Sequence, residues 1–219
     1  MPMDASSLSE WFEDLKRVLE SAYLEASDPW GQSGFSGSLE RWTRLRKPVA
    51  DLVDRSGSFL DIGCANGFLL ECLLHWTSAK GLELSPYGLD LSEPLVELAR
   101  KRLPTFRDHF FVGNAWDWEP PCRFDSVRLE LCYVPPEYRQ RFVDRTLHTF
   151  LKPDGSLLVA EYRSSRDAHA DTPWVDEELR TMGYTVFGAA SGFDLDGREL
   201  TRVARLRQPP GATESYDER

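Results

Sequence analysis

Phe59-Leu60-Asp61-Ile62-Gly63-Cys64-Ala65-Asn66-Gly67-Phe68-Leu69-Leu70 reads as a short buried strand, a tight turn bearing two glycines, and the first turn of an apolar helix. Gly63 and Gly67 lack a Cβ and tolerate positive φ, so a ligand can lie directly against the backbone there. The helix opening near Asn66 aims free N–H groups and the positive end of its dipole at that position. The next apolar stretch, Tyr87-Gly88-Leu89-Asp90-Leu91, carries an acid 23 positions after Gly67. That is about the separation at which a carboxylate at a strand end accepts from ribose hydroxyls in nucleotide-binding α/β folds.

Around this unit, strands are expected at 58–62, 87–91, 108–113, 124–131 and 155–162, with crossover helices at 67–76, 93–102 and 137–150. Such alternation predicts a mostly parallel sheet with helices on both faces. After a short helix over Asp176–Met182, the segments Tyr184–Ala190 and Arg198–Leu206 flank Asp194-Leu195-Asp196-Gly197, which predicts a terminal antiparallel hairpin. Upstream, Leu8, Trp11, Phe12, Leu15, Val18, Leu19 and Tyr23 recur at helical spacing, and Ser7 with Glu10 suits a capping box. A glycine-rich loop, 28–37, carries Trp30 and Phe35. Ser38 is expected to cap a further helix through Leu45, with Pro48 kinking it or opening a new one. The chain thus divides into an N-terminal helical cap (1–50), an α/β domain (51–208) and a polar tail (209–219).

Several motifs together resemble the class I S-adenosylmethionine-dependent methyltransferases, over about 59–205. Asp61–Gly67 is similar to the family's first motif, with Ala65 where the middle glycine usually stands; Gly88–Ser92 resembles the acid motif of the second strand. Val112-Gly113-Asn114-Ala115-Trp116 resembles the adenine-side motif, with Asn114 where Asp is commoner. Arg123–Val127 resembles the fourth strand, and Leu151–Ala160 the turn into the fifth. The resemblance implies a Rossmann-like methyltransferase fold: a seven-stranded, mostly parallel sheet whose last strand is antiparallel, under an N-terminal helical lid. It implies S-adenosylmethionine as cofactor, S-adenosylhomocysteine as product, and no metal.

Carried onto this chain, the resemblance places Asp61 near the methionine amino group and lets Gly63, Cys64, Ala65 and Gly67 approach closely through their backbone. Asp90, with Leu91 beside it, meets the ribose. The Asn114 carbonyl and the Ala115 N–H meet the adenine edge, with Trp116 and Trp118 as candidate walls. Glu83 is a rival acid, but Ser85 and Pro86 make its segment a turn into the strand and leave it on the surface.

On the acceptor side, Glu130 and Tyr133 stand at the end of the fourth strand as candidate catalytic groups. The family's Asn-Pro-Pro-Tyr is absent there, which counts against a nucleic-acid amine as acceptor. A general base is needed only where the acceptor must lose a proton. Trp30, Gln32 and Phe35 on the hinged loop are candidate lid contacts, and Glu161, Tyr162 and Arg163 end the strand that borders the substrate side. His75, His109, His148 and His169 lack partners that would suggest a base or a metal site.

A net charge of −10 argues against broad nucleic-acid binding, and the basic run Arg41–Lys47 reads as helix surface. No stretch approaches the roughly 20 apolar residues that span a bilayer, and the N-terminus has no basic-then-apolar leader. Four cysteines without paired spacing read as reduced thiols in a cytoplasmic protein. The expected activity is methyl transfer to oxygen or nitrogen of a small-molecule acceptor by a monomer or homodimer, with a peptide or protein acceptor still open. Two alternatives compete: a nicotinamide-dependent oxidoreductase, which the terminal hairpin and the missing Tyr-x-x-x-Lys pair oppose, and a non-catalytic cofactor-binding subunit.

Overall fold

A computed structural model describes residues 5–164 and 172–208; the expected tail 209–219 and His169 lie outside the described residues. Its strands are β1 (Gly57–Ile62), β2 (Leu84–Asp90), β3 (Phe110–Val112), β4 (Phe124–Glu130), β5 (Leu151–Tyr162), β6 (Gly188–Phe193) and β7 (Glu199–Arg207). They form one sheet in the order β3-β2-β1-β4-β5-β7-β6. β1 to β5 are parallel, and β7 runs antiparallel between β5 and β6. The predicted hairpin turn at Asp194–Gly197 is the connection between β6 and β7.

The helices are α1 (Ala5–Leu24), α2 (Leu39–Asp51), α3 (Phe68–Ser78), α4 (Glu93–Arg102), α5 (Arg139–Arg145) and α6 (Val175–Thr181). Strand alternation sorts the core into two layers. Phe59, Leu158, Ala160 and Val203 pack with Trp42, Leu70, Leu73 and Val96 of α2, α3 and α4. Leu60, Ile62, Leu157 and Val159 pack with Phe12 of α1, Phe142 of α5 and Leu179 of α6. Every one of these side chains is buried, as a doubly covered parallel sheet requires.

Several local expectations shift. α1 already includes Ala5, so Ser7 lies within the helix and cannot be its N-cap. β2 starts at Leu84, so Ser85 and Pro86 belong to the strand, while Glu83 is exposed just before it. Proline is tolerated because β3 pairs only with Gly88–Asp90. The Pro86 carbonyl accepts instead from the His109 ring, Nδ1 at 3.0 Å, so the missing N–H falls on a side without a strand partner. Ser38 does cap α2, accepting from the Arg41 N–H at 3.2 Å, but the helix runs on through Pro48 to Asp51. The 137–150 helix divides into α5 and a wider π turn over Thr146–Phe150.

The basic run is not simply surface. Arg41 reaches Asp194 with two hydrogen bonds, of 2.7 and 2.9 Å, and locks α2 to the β6–β7 turn. Arg46 turns inward, 3.5 Å from the centre of the Tyr162 ring. Trp42 is fully buried, so α2 is a working layer of the α/β domain. α1 and the loop after it lie over the C-terminal ends of the strands. Among the described residues no helix is long and apolar enough to cross a membrane.

Candidate active site

β1 and β4 are neighbours in the sheet, and the chain order reverses between them, which is where open α/β sheets bind ligands. The turn after β1 holds Gly63 at φ +72° and Gly67 at φ +74°, with Ala65 between them at φ +46°. A left-handed alanine is strained by about 1–2 kcal/mol. The strain is held by a hydrogen bond of 2.8 Å from the Ala65 N–H to Asp90 Oδ2, while Oδ1 accepts from Ser92 N–H at 2.9 Å. Burial pushes the Asp90 carboxyl above its usual range against these two donors. A Cβ on Gly63 would collide with the Tyr133 hydroxyl, and one on Gly67 would lie 3.0 Å from Ala99 Cβ in α4.

A cavity of about 640 Å³, mouth included, lies beside this turn. Gly63, Asp90, Leu91, Asn114, Ala115 and Trp116 line one side of it, and Phe12, Leu15, Leu19 and Tyr23 of α1 face them. The sequence-predicted adenosine residues therefore converge on one space, roofed by α1. Asn114 Oδ1 accepts from the Trp116 N–H at 3.0 Å; a carbonyl oxygen has a second lone pair for another donor. Trp118 packs instead on Phe111 and Phe150. Cys64 is buried, and a Cβ on Gly88 would lie 2.7 Å from its sulfur, so it contributes backbone only.

The residues lining this cavity fit S-adenosylmethionine. The cavity presents the Asp90 carboxylate, which can accept from a diol, and apolar side chains that face the amide and backbone of 114–116, over a glycine turn that a Cβ would fill.

At the end of β4, Arg128 is nearly fully buried and organises four groups. Its Nη1 donates to Asp61 Oδ1 at 3.1 Å, to the Ile62 carbonyl at 3.3 Å and to the Tyr133 hydroxyl at 3.0 Å, while Nη2 pairs with Glu130 Oε1. Tyr133 in turn donates to Glu130 Oε1 at 3.0 Å. Among the described residues, Glu130 Oε2 meets the Cys132 thiol alone, at 3.6 Å. Asp61 is 1% exposed, and burial pushes its carboxyl up to about 7 even though Arg128 pulls it down. The Tyr133 hydroxyl is likewise pushed up by burial, as is that of Tyr23, to about 12.

Glu130 lines a second cavity together with Cys132, Arg139, Glu161, Tyr162 and Arg163. Tyr133 lines the first cavity, so the hydrogen bond between Tyr133 and Glu130 links the two. Phe35, Arg46, Tyr162 and Arg163 line a third space next to the second. Trp30 and Gln32 line none of the three. Trp30 leans on Phe68 and donates to the Gly37 carbonyl at 2.9 Å. Gln32 accepts from Asn66 Nδ2 at 3.2 Å, and the same nitrogen donates to the Pro29 carbonyl at 2.9 Å. Buried Asn66 thus ties the 28–37 loop to the first motif.

The sequence reading gives no site role to Arg128, Arg46 or Asn66, and it names the apolar residues of α1 without placing them over Asp90. Only Arg128 left a signal there: a cation alternating among apolar strand residues needs a buried carboxylate partner.

Residues 59–155 match the sequence profile of a family described as a methyltransferase domain. No curated protein sequence matches the chain. Among solved structures, the fold is similar to the N-methyltransferase NodS from Bradyrhizobium japonicum WM9 in complex with S-adenosylhomocysteine: TM-score 0.64, 19% identity, 88% of this chain and 97% of that one. It is also similar to the 1,6-didemethyltoxoflavin-N1-methyltransferase of Burkholderia thailandensis: TM-score 0.65, 19% identity, 95% and 92% of the two chains. The [4+2]-cyclase SpnF shares the fold at TM-score 0.60 and 17% identity over 96% and 99%, so at this distance structural likeness speaks for fold alone.

Strand order, the antiparallel β7 and the glycine turn define a Rossmann-like methyltransferase fold. The matched profile covers residues 59–155, and over that stretch the chain is similar to class I S-adenosylmethionine-dependent methyltransferase domains.

Proposed function

We propose that this chain methylates an oxygen or nitrogen of a small molecule held in the second cavity, against Glu130. The observation that carries the reading is the hydrogen bond from Tyr133 to Glu130 Oε1, which joins the cavity lined by Asp90 and Asn114 to the one lined by Glu130 and Tyr162. When bound, S-adenosylmethionine supplies a methyl group on an electron-poor sulfur.

In this reading Asp90, Leu91, Asn114, Ala115 and Trp116 hold the adenosine, and Gly63 to Gly67 form the floor. Asp61, bonded through Oδ1 to Arg128, acts by fixing that guanidinium. Arg128 and Tyr133 engage Glu130 Oε1 and leave Oε2 to take the proton that an amine or hydroxyl acceptor loses. Tyr133 over Gly63 limits how the acceptor can approach, and positioning of this kind is the main source of rate in such displacements. Phe35 and Tyr162 contact the acceptor, while Trp30 and Gln32 set the loop that carries Phe35. α1 and the 28–37 loop form the lid. NodS and the toxoflavin enzyme, both named as N-methyltransferases, favour a small nitrogen acceptor.

The test is methyl transfer from labelled cofactor to a panel of small amines, phenols and hydroxy compounds, preceded by calorimetry with S-adenosylhomocysteine. Glu130→Gln should lower kcat by about 10²–10⁴-fold, the usual span for a lost general base, and leave S-adenosylhomocysteine affinity within a few-fold. Labelling confined to a peptide library would exclude the small-molecule reading.

A further inference from the structure

Arg46, half-buried, stands out among the cations that turn inward. Arg41 is paired with Asp194, Arg128 with Asp61 and Glu130, and Arg163 with Glu161. Arg46 makes no hydrogen bond or ion pair among the described residues; its contacts of note are the Tyr162 ring at 3.5 Å and the Phe35 ring at 5.4 Å. A guanidinium carbon this close to a ring centre must stack face to face, because an N–H aimed at the ring would hold the carbon farther away. Stacking occupies the face of the group and leaves its five edge donors unused.

A desolvated cation is normally matched by a carboxylate. Here burial pulls the guanidinium below its ordinary range, with the negative field of Glu130 reaching it only from beyond ion-pair distance. Among the described residues, the space it lines contains three arginines, Arg41, Arg46 and Arg163, and no Asp or Glu. Tyr162, which forms the wall shared with the Glu130 cavity, buries a hydroxyl that also has no partner among the described residues. Two of the three arginines already have carboxylates. The third has donors to spare and faces a cavity of its own charge sign.

We propose that Arg46 binds an anionic group of the methyl acceptor, a carboxylate or a phosphate, and so fixes the acceptor's far end while its nucleophilic atom lies at Glu130. The inference rests on the methyl-transfer reading and names the substrate class within it: a small acid bearing an amine or hydroxyl, lying across Tyr162. Arg46 selects that class through paired, planar hydrogen bonds to the anion.

The experiment is calorimetric titration of the full chain, saturated with S-adenosylhomocysteine, with benzoate, with inorganic phosphate and with neutral benzamide. Benzoate or phosphate should bind and benzamide should not; which anion binds tells a carboxylate acceptor from a phosphorylated one. Arg46→Gln should weaken the anion about 10- to 100-fold, as loss of charge-assisted hydrogen bonds does. Arg46→Lys should retain most of the affinity, and Arg44→Gln, on the exposed face of α2, all of it. Equal anion binding by wild type and Arg46→Gln, benzamide binding as well as benzoate, or no binding of either anion would overturn the proposal. The S-adenosylhomocysteine titration separates the two levels. If it binds normally while the anion arm fails, the methyltransferase reading stands and the anion site falls; if it does not bind the wild type, both fall.

Discussion

Replacing Arg128 by methionine removes a buried cation shared by two carboxylates. Arg128 side-chain exposure is 4%, with Asp61 at 1% and Glu130 at 20%. Methionine fills much of the aliphatic volume, so the loss is chiefly electrostatic: Asp61, Glu130 and the Tyr133 hydroxyl are left facing one another without a counter-charge. Breaking a buried pair from one side costs about 3–5 kcal/mol, and Arg128→Met should fall in that range by urea denaturation at pH 7.5.

The deficit should depend on pH. Asp61 already has a folded-state pKa of about 7, above the roughly 4 expected of an unfolded aspartate. Between those values the folded protein binds a proton that the unfolded chain does not, so this contribution to stability is full below pH 4 and is lost as pH rises through 7. Without Arg128 the Asp61 carboxyl loses the charge that pulls it down and is pushed further up, so the variant takes up more protons on folding than the wild type. Its deficit should therefore shrink by more than half between pH 7.5 and pH 5. A deficit that stays constant across that window would mean packing, not charge, is what Arg128 supplies. A loss below 1 kcal/mol would refute the cluster altogether.

Asp90→Ala should weaken S-adenosylhomocysteine binding by about 1.5–3 kcal/mol through lost charge-assisted hydrogen bonds; unchanged affinity in calorimetry would move the ribose elsewhere. Gly63→Ala places a Cβ against the Tyr133 hydroxyl at φ +72°, and should depress both melting temperature and cofactor affinity, whereas Gly81→Ala, equally left-handed but with open space around it, should affect only stability. Asn66→Ala strips the bonds to Pro29, Gln32 and the Phe68 N–H. It should cost about 1–3 kcal/mol for the groups left unpaired and make the 28–37 loop the first site of limited proteolysis; cleavage no faster than in wild type would count against the tether.

Those variants divide along the line between local and long-range information. The strand, glycine turn and helix at 59–70 were legible because their signals lie within a dozen residues, as periodicity and positive-φ glycines do. Asp90 was legible because its distance from Gly67 follows from one crossover. The last hairpin was legible from the Asp194–Gly197 turn between two apolar runs. Boundaries slipped where tertiary partners decide them: Pro86 stays in β2 only because β3 is too short to need its N–H.

By itself, then, the sequence determined the class of fold, the order of its elements and the side of the sheet on which a nucleoside would lie, because each depends on residues close together in the chain. Which charges meet was decided by tertiary structure. Arg128 selects Asp61, 67 positions away. Arg46 stacks on Tyr162 across the gap between α2 and β5, and α1 swings its apolar face over Asp90 instead of merely capping the end of the domain. No local pattern encodes such pairings: they arise when strands far apart in the chain become neighbours in the sheet and burial makes an unpaired charge too costly to leave.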